Sequence, residues 1–309
     1  MKEKICVLKG GKSPERDISL KSGEAIEEAL WKAGYRTLSI DPAEDQRLFS
    51  LLKERVDAVF IALHGPGGED GTIQGWLETL NIPYTGSGVL ASALAMDKKS
   101  SRKIWKAEGL GQPEYLVIDN EVEFRSEDFS FLRFPFIVKP GRSGSTLGVS
   151  LVKEKKELFP ALQKAFSYDK KYVLIEEYIQ GREVTVGILD DPEPRALPVI
   201  EIIPEHEFYD YETKYTQGKS QYIVPAHFAP EDYGKIQNVA LKAYKSLGCR
   251  DFARVDMIWR EGEVYLLEIN TIPGMTKISL FPKAARAEGI QFHQLVDKII
   301  QRALRRKRN

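Results

Sequence analysis

Cysteine is nearly absent from this chain of 309 residues, which has two, Cys6 and Cys249. That is too few for a disulfide framework or a zinc site, and each lies in or beside a strand-like segment. Long apolar runs are also missing. The longest, Ala58 to Leu63, falls far short of the ~20 residues that span a bilayer. The opening MKEKICVL carries too short an apolar stretch for a signal peptide and reads as a first strand. Nor does one sign of charge dominate. Lys plus Arg number 45 and Asp plus Glu number 45, a balance that points to neither nucleic acid nor an acidic membrane. The basic ending RRKRN reads as a solvated terminus. Internal repeats and low-complexity tracts are lacking too. The expectation is a soluble, cytoplasmic protein with buried thiols and without nucleic-acid or membrane partners.

What is present is an ordinary globular composition, 42% hydrophobic and 29% charged, in a chain long enough for about two to three domains. The first third alternates strand and helix. KICVL leads through a glycine-rich turn to a helix from about Ser19 to Gly34, and RTLSI, a helix through Leu51, AVFIAL and a helix from Gly71 to Leu80 follow. That rhythm implies parallel strands with crossover helices. Such sheets bind ligands beyond the carboxyl ends of their strands, where GGKSPERDIS (10 to 19) and HGPGGEDG (64 to 71) stand. After Met96 the pattern changes. A basic helix, DKKSSRKIWKAEG, precedes two strands, FPFIVK and GVSLV, a helix from about Glu154 to Phe166 and the strand YVLIEEYI. Longer strands, an irregular stretch (206 to 224), a helix from about Pro230 to Leu247, the pair FARVDMIW and VYLLEIN, and a closing helix make up the rest. The reading is α/β throughout, in three lobes: an N-terminal open parallel-sheet domain (1–96), a central lobe (97–179) and a C-terminal lobe (180–309).

GKS after a strand suggests a P-loop, but that pattern needs a Gly five residues before its second Gly, where this chain has Cys6. KPGRSGSTLGVS (139 to 150) is the better phosphate candidate, because its glycines allow close backbone approach and its amides and hydroxyls can donate. Lys139 would set an ammonium beside it; a plain hairpin tip with a surface lysine is the rival reading. Near the end, EINTIPGMT closes a buried strand with Glu268 and Asn270, which share a face because strand residues alternate. Arg254 and Asp256 share a face in FARVDMIW by the same rule. If the two strands pair, their oxygen atoms suit Mg²⁺; a structural Arg254–carboxylate salt bridge is the alternative. An ordinary two-residue turn at Glu261-Gly262 would pair Asp256 with Leu267 and turn Glu268 away. A shared site therefore requires an odd-length loop or a bulge, expected around Gly262.

In chain order stand GGKSPERDISLKSG (10 to 23), HGPGGEDGTIQG (64 to 75), AMDK (95 to 98) and KPGRSGSTLGVS (139 to 150), followed by EFYDYETKY (207 to 215), GCRDFARVD (248 to 256) and LEINTIPGMTKISL (267 to 280). This series resembles the ATP-grasp ligases, and within them the D-alanine–D-alanine ligase family, along almost the entire chain. The resemblance implies the ATP-grasp fold and a reaction in which ATP phosphorylates one D-alanine carboxylate and a second D-alanine's amine displaces the phosphate. It assigns Lys98, Lys139, Lys214 and Leu267 to ATP, the segment Glu176, Glu177, Tyr178 and Ile179 to adenine, and Glu183 to the ribose. Asp256, Glu268 and Asn270 would hold two Mg²⁺, with Mn²⁺ able to replace them. Arg254 and the Gly274 amide would stabilise the tetrahedral oxyanion, and Glu15 would take the first D-alanine's ammonium. Tyr215 and Ser145 would tie a covering loop to Glu15. His64 would contact the first substrate, Ser279 and Leu280 the second. Tyr215, which some depsipeptide-forming relatives replace by Phe, implies a dipeptide product. A homodimer, a cytoplasmic location and a role in peptidoglycan precursor synthesis are further implications. A different ATP-grasp ligase or a non-catalytic nucleotide sensor fits fewer of these residues.

Overall fold

The computed structural model describes residues 2–44, 56–119, 133–144, 147–204 and 220–306. Ser145, Lys214 and Tyr215, most of the irregular stretch 206 to 224, and the expected helix through Leu51 lie outside the described residues.

The first sheet is parallel, as the alternating sequence implies. β1 (Lys4–Leu8) lies between β2 (Arg36–Ile40) and β3 (Ala58–Ile61). Both faces are covered, which is why KICVL is apolar at successive positions. Ile5 and Val7 face the core formed with α1 (Arg16–Lys32), while Cys6 and Leu8 face the one formed with α2 (Thr72–Thr79). A third helix, α3 (Val89–Met96), was not expected from the sequence. Its N-cap is Gly88, with no capping side chain to announce it.

α4 (Lys98–Ala107) is the basic helix, and the Asp97 carboxylate caps it by accepting from the Ser100 amide at 2.8 Å. Its buried stripe, Lys98, Ser101, Arg102 and Trp105, has helical spacing but is largely polar. An antiparallel sheet follows, with β4 (Tyr115–Ile118), β5 (Phe136–Pro140), β6 (Ser150–Val152) and β7 (Val173–Glu177) in the order β4-β7-β5-β6, backed by α5 (Lys155–Tyr168). The third sheet is also antiparallel. It runs through β11 (Ser220–Ile223), β10 (Ile200–Pro204), β8 (Arg182–Asp190), β12 (Phe252–Arg260) and β13 (Glu263–Asn270), with β9 (Pro194–Ala196) on β8. α6 (Pro230–Ser246) packs on the face that presents Val184, Val186, Val255 and Met257.

The closing segment is two helices, α7 (Leu280–Ala287) and α8 (Phe292–Arg306), parted at Gly289. α8 buries Leu295, Val296, Ile299 and Ile300 in the same core as Ile5, Val7 and Leu30 of the first sheet and α1. The end of the chain therefore packs against its beginning.

The hairpin of β12 and β13 departs from expectation in one instructive way. Its turn, Glu261-Gly262, is an ordinary two-residue connection, with φ 50° and 84°, and Arg260 pairs with Glu263. The expected bulge exists, but away from the turn. Met257 pairs with Leu266, yet Asp256 pairs with Glu268, so Leu267 is the extra residue. Burial parity along β13 reverses there: Val264 and Leu266 are buried before it, Ile269 after it.

Candidate active site

A cleft of about 350 Å³ opens between the two antiparallel sheets. The strand ends that face each other across it bring together Lys98, Lys139, Glu176, Glu177, Tyr178, Ile179, Glu183, Leu267, Arg254, Asp256, Glu268 and Leu280. These residues come from seven helices and strands, with Tyr178 and Ile179 just past the end of β7. Leu267, Ile137, Ile258 and Ile179 supply apolar wall, and charge gathers at one end.

The charged floor is a chain of contacts. Glu176, 2% exposed, lies 2.6 Å from the Lys139 ammonium and accepts from an Arg102 terminal nitrogen at 2.7 Å. Burial alone would raise the Glu176 pKa, but the Arg102 and Lys139 cations outweigh it and hold the carboxyl below the usual glutamate range. Burial pushes Lys139 down to about 8; Glu176 opposes that shift, while Arg102 and Lys98 add to it. The Lys98 ammonium donates to the Ser143 carbonyl at 2.7 Å and lies 3.4 Å from a Glu268 oxygen. The helix lysine thus links the glycine-rich loop to β13.

At the second group, Asp256 and Glu268 are cross-strand partners on the cleft face. Asp256 accepts two bonds from Arg254, at 2.8 and 2.7 Å, one from the Asn270 amide nitrogen at 3.0 Å and one from the Thr185 hydroxyl at 2.5 Å. The salt bridge that was the rival reading therefore exists, beside the oxygen-rich arrangement rather than instead of it. Among the described residues, no group of three or more His, Cys, Asp or Glu side chains could hold a metal by itself. Two carboxylates and an amide fit Mg²⁺, which uses few protein ligands and completes its shell with phosphate oxygens and water.

The remaining expected residues lie beside this cleft, where the loops after β1 and β3 meet the turn after β13. Glu15, 5% exposed, stands so close to the chain at Gly65 that a Cβ there would be 2.7 Å from its carboxylate oxygen; one at Gly144 would be 3.1 Å away. Gly65 also has φ 69°, so both backbone and space favour glycine. His64 is buried, and its Nε2 lies 3.3 Å from the Ser22 hydroxyl, which accepts from the Met275 amide at 3.2 Å. Gly274 lies against Ser279, whose hydroxyl oxygen would be 3.1 Å from an added Cβ and accepts from the Thr276 amide at 3.1 Å. Of the expected set, Ser145, Lys214 and Tyr215 are the ones outside the described residues.

Three participants were missed from sequence. Arg102 is one helical turn from Lys98 on the same buried stripe. Thr185 is two strand positions from Glu183 and pairs with Asp256. Glu69, in the already quoted HGPGGEDG, is buried and accepts from the Gly65 amide at 2.8 Å and the Ile272 amide at 3.2 Å, joining two loops. Burial, then the Glu15 charge, pushes its pKa up to about 8.

Residues 104–301 match the family model described as the D-ala D-ala ligase C-terminus, and residues 42–87 match the D-ala D-ala ligase N-terminus. A D-alanine–D-alanine ligase from Carboxydothermus hydrogenoformans is 50% identical over 97% of this chain and 98% of its own. One from Syntrophotalea carbinolica is 45% identical over 99% and 97%. Among solved structures, the Bacillus anthracis D-alanine–D-alanine ligase complexed with ATP superposes with a TM-score of 0.86 at 36% identity, covering 99% of each chain.

Proposed function

The chain belongs to the D-alanine–D-alanine ligase family and has the ATP-grasp fold, and from that premise we propose how its residues carry the reaction. It is an ATP-dependent ligase that forms D-alanyl-D-alanine. The γ-phosphoryl group of ATP passes to the carboxylate of the first D-alanine, giving an acylphosphate and ADP. The ammonium of the second D-alanine loses a proton and the resulting amine adds to the acyl carbon; the tetrahedral intermediate expels inorganic phosphate, and loss of the nitrogen's second proton leaves the peptide bond.

In this reading the apolar wall and the backbone of Glu176 to Ile179 receive adenine, and Glu183 takes the ribose. Lys98 and Lys139 hold the phosphates, with Glu176 keeping the Lys139 ammonium aimed into the cleft. Asp256, Glu268 and Asn270 are the residues that would hold Mg²⁺ or Mn²⁺, which when bound offsets the charge of the transferring phosphoryl group. Arg254 turns its guanidinium toward the oxyanion together with the Gly274 amide. Glu15 receives the first substrate's ammonium beside His64, and Ser279 and Leu280 meet the second substrate. Ser145, Tyr215 and Lys214 complete the cover and the ATP contacts on the strength of the family pattern. The division at 1–96, 97–179 and 180–309 stays the working one, with α8 returning to the first sheet. Among the described residues no helix is long and apolar enough to cross a membrane. A cytoplasmic homodimer acting in peptidoglycan precursor synthesis, and so in cell shape, is the corresponding biological proposal.

The observation that carries this reading is the meeting of Lys98, Lys139, Asp256 and Glu268 in one cleft, with Glu15 close to the glycine-rich loop at Gly144. The test is ADP release with Mg-ATP. D-alanine should stimulate it strongly and L-alanine should not. Equal release with either amino acid, or with neither, would reject the substrate assignment.

A further inference from the structure

Arg102 is the largest charged side chain with no exposure to solvent, and no family motif quoted above assigns it a task. A guanidinium is removed from water at this cost only where several acceptors receive it. One terminal nitrogen donates to the Leu266 carbonyl at 2.5 Å. The other donates to the Leu267 carbonyl at 3.2 Å and to Glu176 at 2.7 Å. Its Nε has no acceptor among the described residues, so the two terminal nitrogens make its side-chain hydrogen bonds, and the guanidinium lies 5.9 Å from the Trp105 ring centre. The two carbonyls belong to the bulge. There β13 falls out of step with β12, and on its open edge the Leu266 amide donates to the Gly111 carbonyl at 2.9 Å.

The bulge decides where Glu268 points. Without the extra residue the strand would keep the parity of Val264 and Leu266, and position 268 would face the α6 core instead of the cleft. We propose that Arg102 is a positioning residue for phosphoryl transfer: by gripping the bulge carbonyls it holds Glu268 on the cleft face beside Asp256, and by holding Glu176 it fixes Lys139. This inference rests on the ligase reading above. It makes one buried cation the tie between the phosphate lysine and the carboxylate that faces it.

A double-mutant cycle tests it. Arg102→Lys keeps the charge, but a single ammonium cannot span the two carbonyls and Glu176 together. At saturating ATP, Arg102→Lys alone should lower kcat about tenfold or more, whereas in a Glu268→Gln background the same change should cost several-fold less, the remainder coming through Glu176 and Lys139, because residues in one network are not additive. In nucleotide-free and metal-free protein, amides of residues 264 to 270 should exchange faster in Arg102→Lys while those of β1 to β3 stay unchanged. Arg102→Gln, which keeps two donors, serves the same cycle. Equal losses in both backgrounds, or exchange that rises throughout the molecule, would overturn the proposal. So would failure of both variants to fold, since Arg102 would then determine the fold and not the site. A parent enzyme without D-alanine-stimulated ADP release would instead reject the ligase reading, independently of the exchange result.

Discussion

Glu176→Gln is the most informative single change, because Glu176 is the anion between two buried cations. In the parent its carboxylate lies 2.7 Å from Arg102 and 2.6 Å from Lys139. Glutamine has nearly the same shape, so packing is kept and charge alone is removed. Arg102 and Lys139 then face each other's fields with a neutral amide between them. Breaking a buried ion pair by removing one partner costs roughly 3–5 kcal/mol, a large share of the ~5–15 kcal/mol that holds a domain folded. At ~2–4 °C per kcal/mol for a domain of 150–250 residues, the melting midpoint should fall by roughly 6 to 20 °C. The assay is calorimetry of parent and variant at one scan rate, across pH. The folded-state pKa of Glu176 is held below its ordinary value, so its contribution is complete above the unfolded value of about 4.3 and is lost as pH falls through the folded one. The gap should therefore be full at pH 7 and narrow in acid. A difference below about 2 °C at pH 7, or a gap that persists unchanged at low pH, would refute the charge argument.

Glu268→Gln should lower turnover about a hundredfold, since phosphoryl transfer depends chiefly on electrostatic stabilisation; near-normal turnover at ordinary magnesium would remove Glu268 from the ligand set. Burial holds Lys139 near a pKa of about 8 in the free protein, so kcat/KM for ATP should decline as pH rises through 8. Calorimetric titration in buffers of different ionisation enthalpy should show proton uptake on ATP binding there, and a flat profile to pH 9.5 would count against Lys139 as a phosphate ligand. Gly65→Ala forces a left-handed conformation, at a cost of about 1–2 kcal/mol, and drives a methyl into Glu15. KM for the first D-alanine should rise several-fold with KM for ATP unchanged, and equal changes in both would show a general distortion.

Much of this was legible in the sequence because the signals were periodic. KICVL, RTLSI and AVFIAL read as parallel strands because apolar residues fill successive positions between crossover helices, and they pair in parallel. Motif order identified the family, and side-chain parity put Arg254 with Asp256 and Glu268 with Asn270, two pairs that the bulge brings onto one surface. Other features left no periodic trace. α3 begins at Gly88 without a capping side chain. Arg102 looked like one more charge on a basic helix. Nothing in DKKSSRKIWKAEG says that the stripe containing it faces inward, because that depends on carbonyls of a strand more than 160 positions away.

The bulge shows how a sequence can demand a feature without locating it. Two constraints act on the β12–β13 hairpin, and they conflict. Glu261-Gly262, both at positive φ, forms the two-residue turn whose twist suits paired strands, and that turn by itself sends Glu268 to the wrong face. The site needs Glu268 opposite Asp256. One unpaired residue reconciles the two, and in principle it could lie anywhere between turn and site. At the turn the Lys235 ammonium is already taken, donating to the Gly262 carbonyl at 2.5 Å. At Leu267 the carbonyls of Leu266 and Leu267 meet Arg102 and the leucine side chain joins the cleft wall, so both carbonyls have a donor. The trace of that choice is the pair Leu267-Glu268: two adjacent residues that both line the cleft, where a regular strand would have turned one of them to the core.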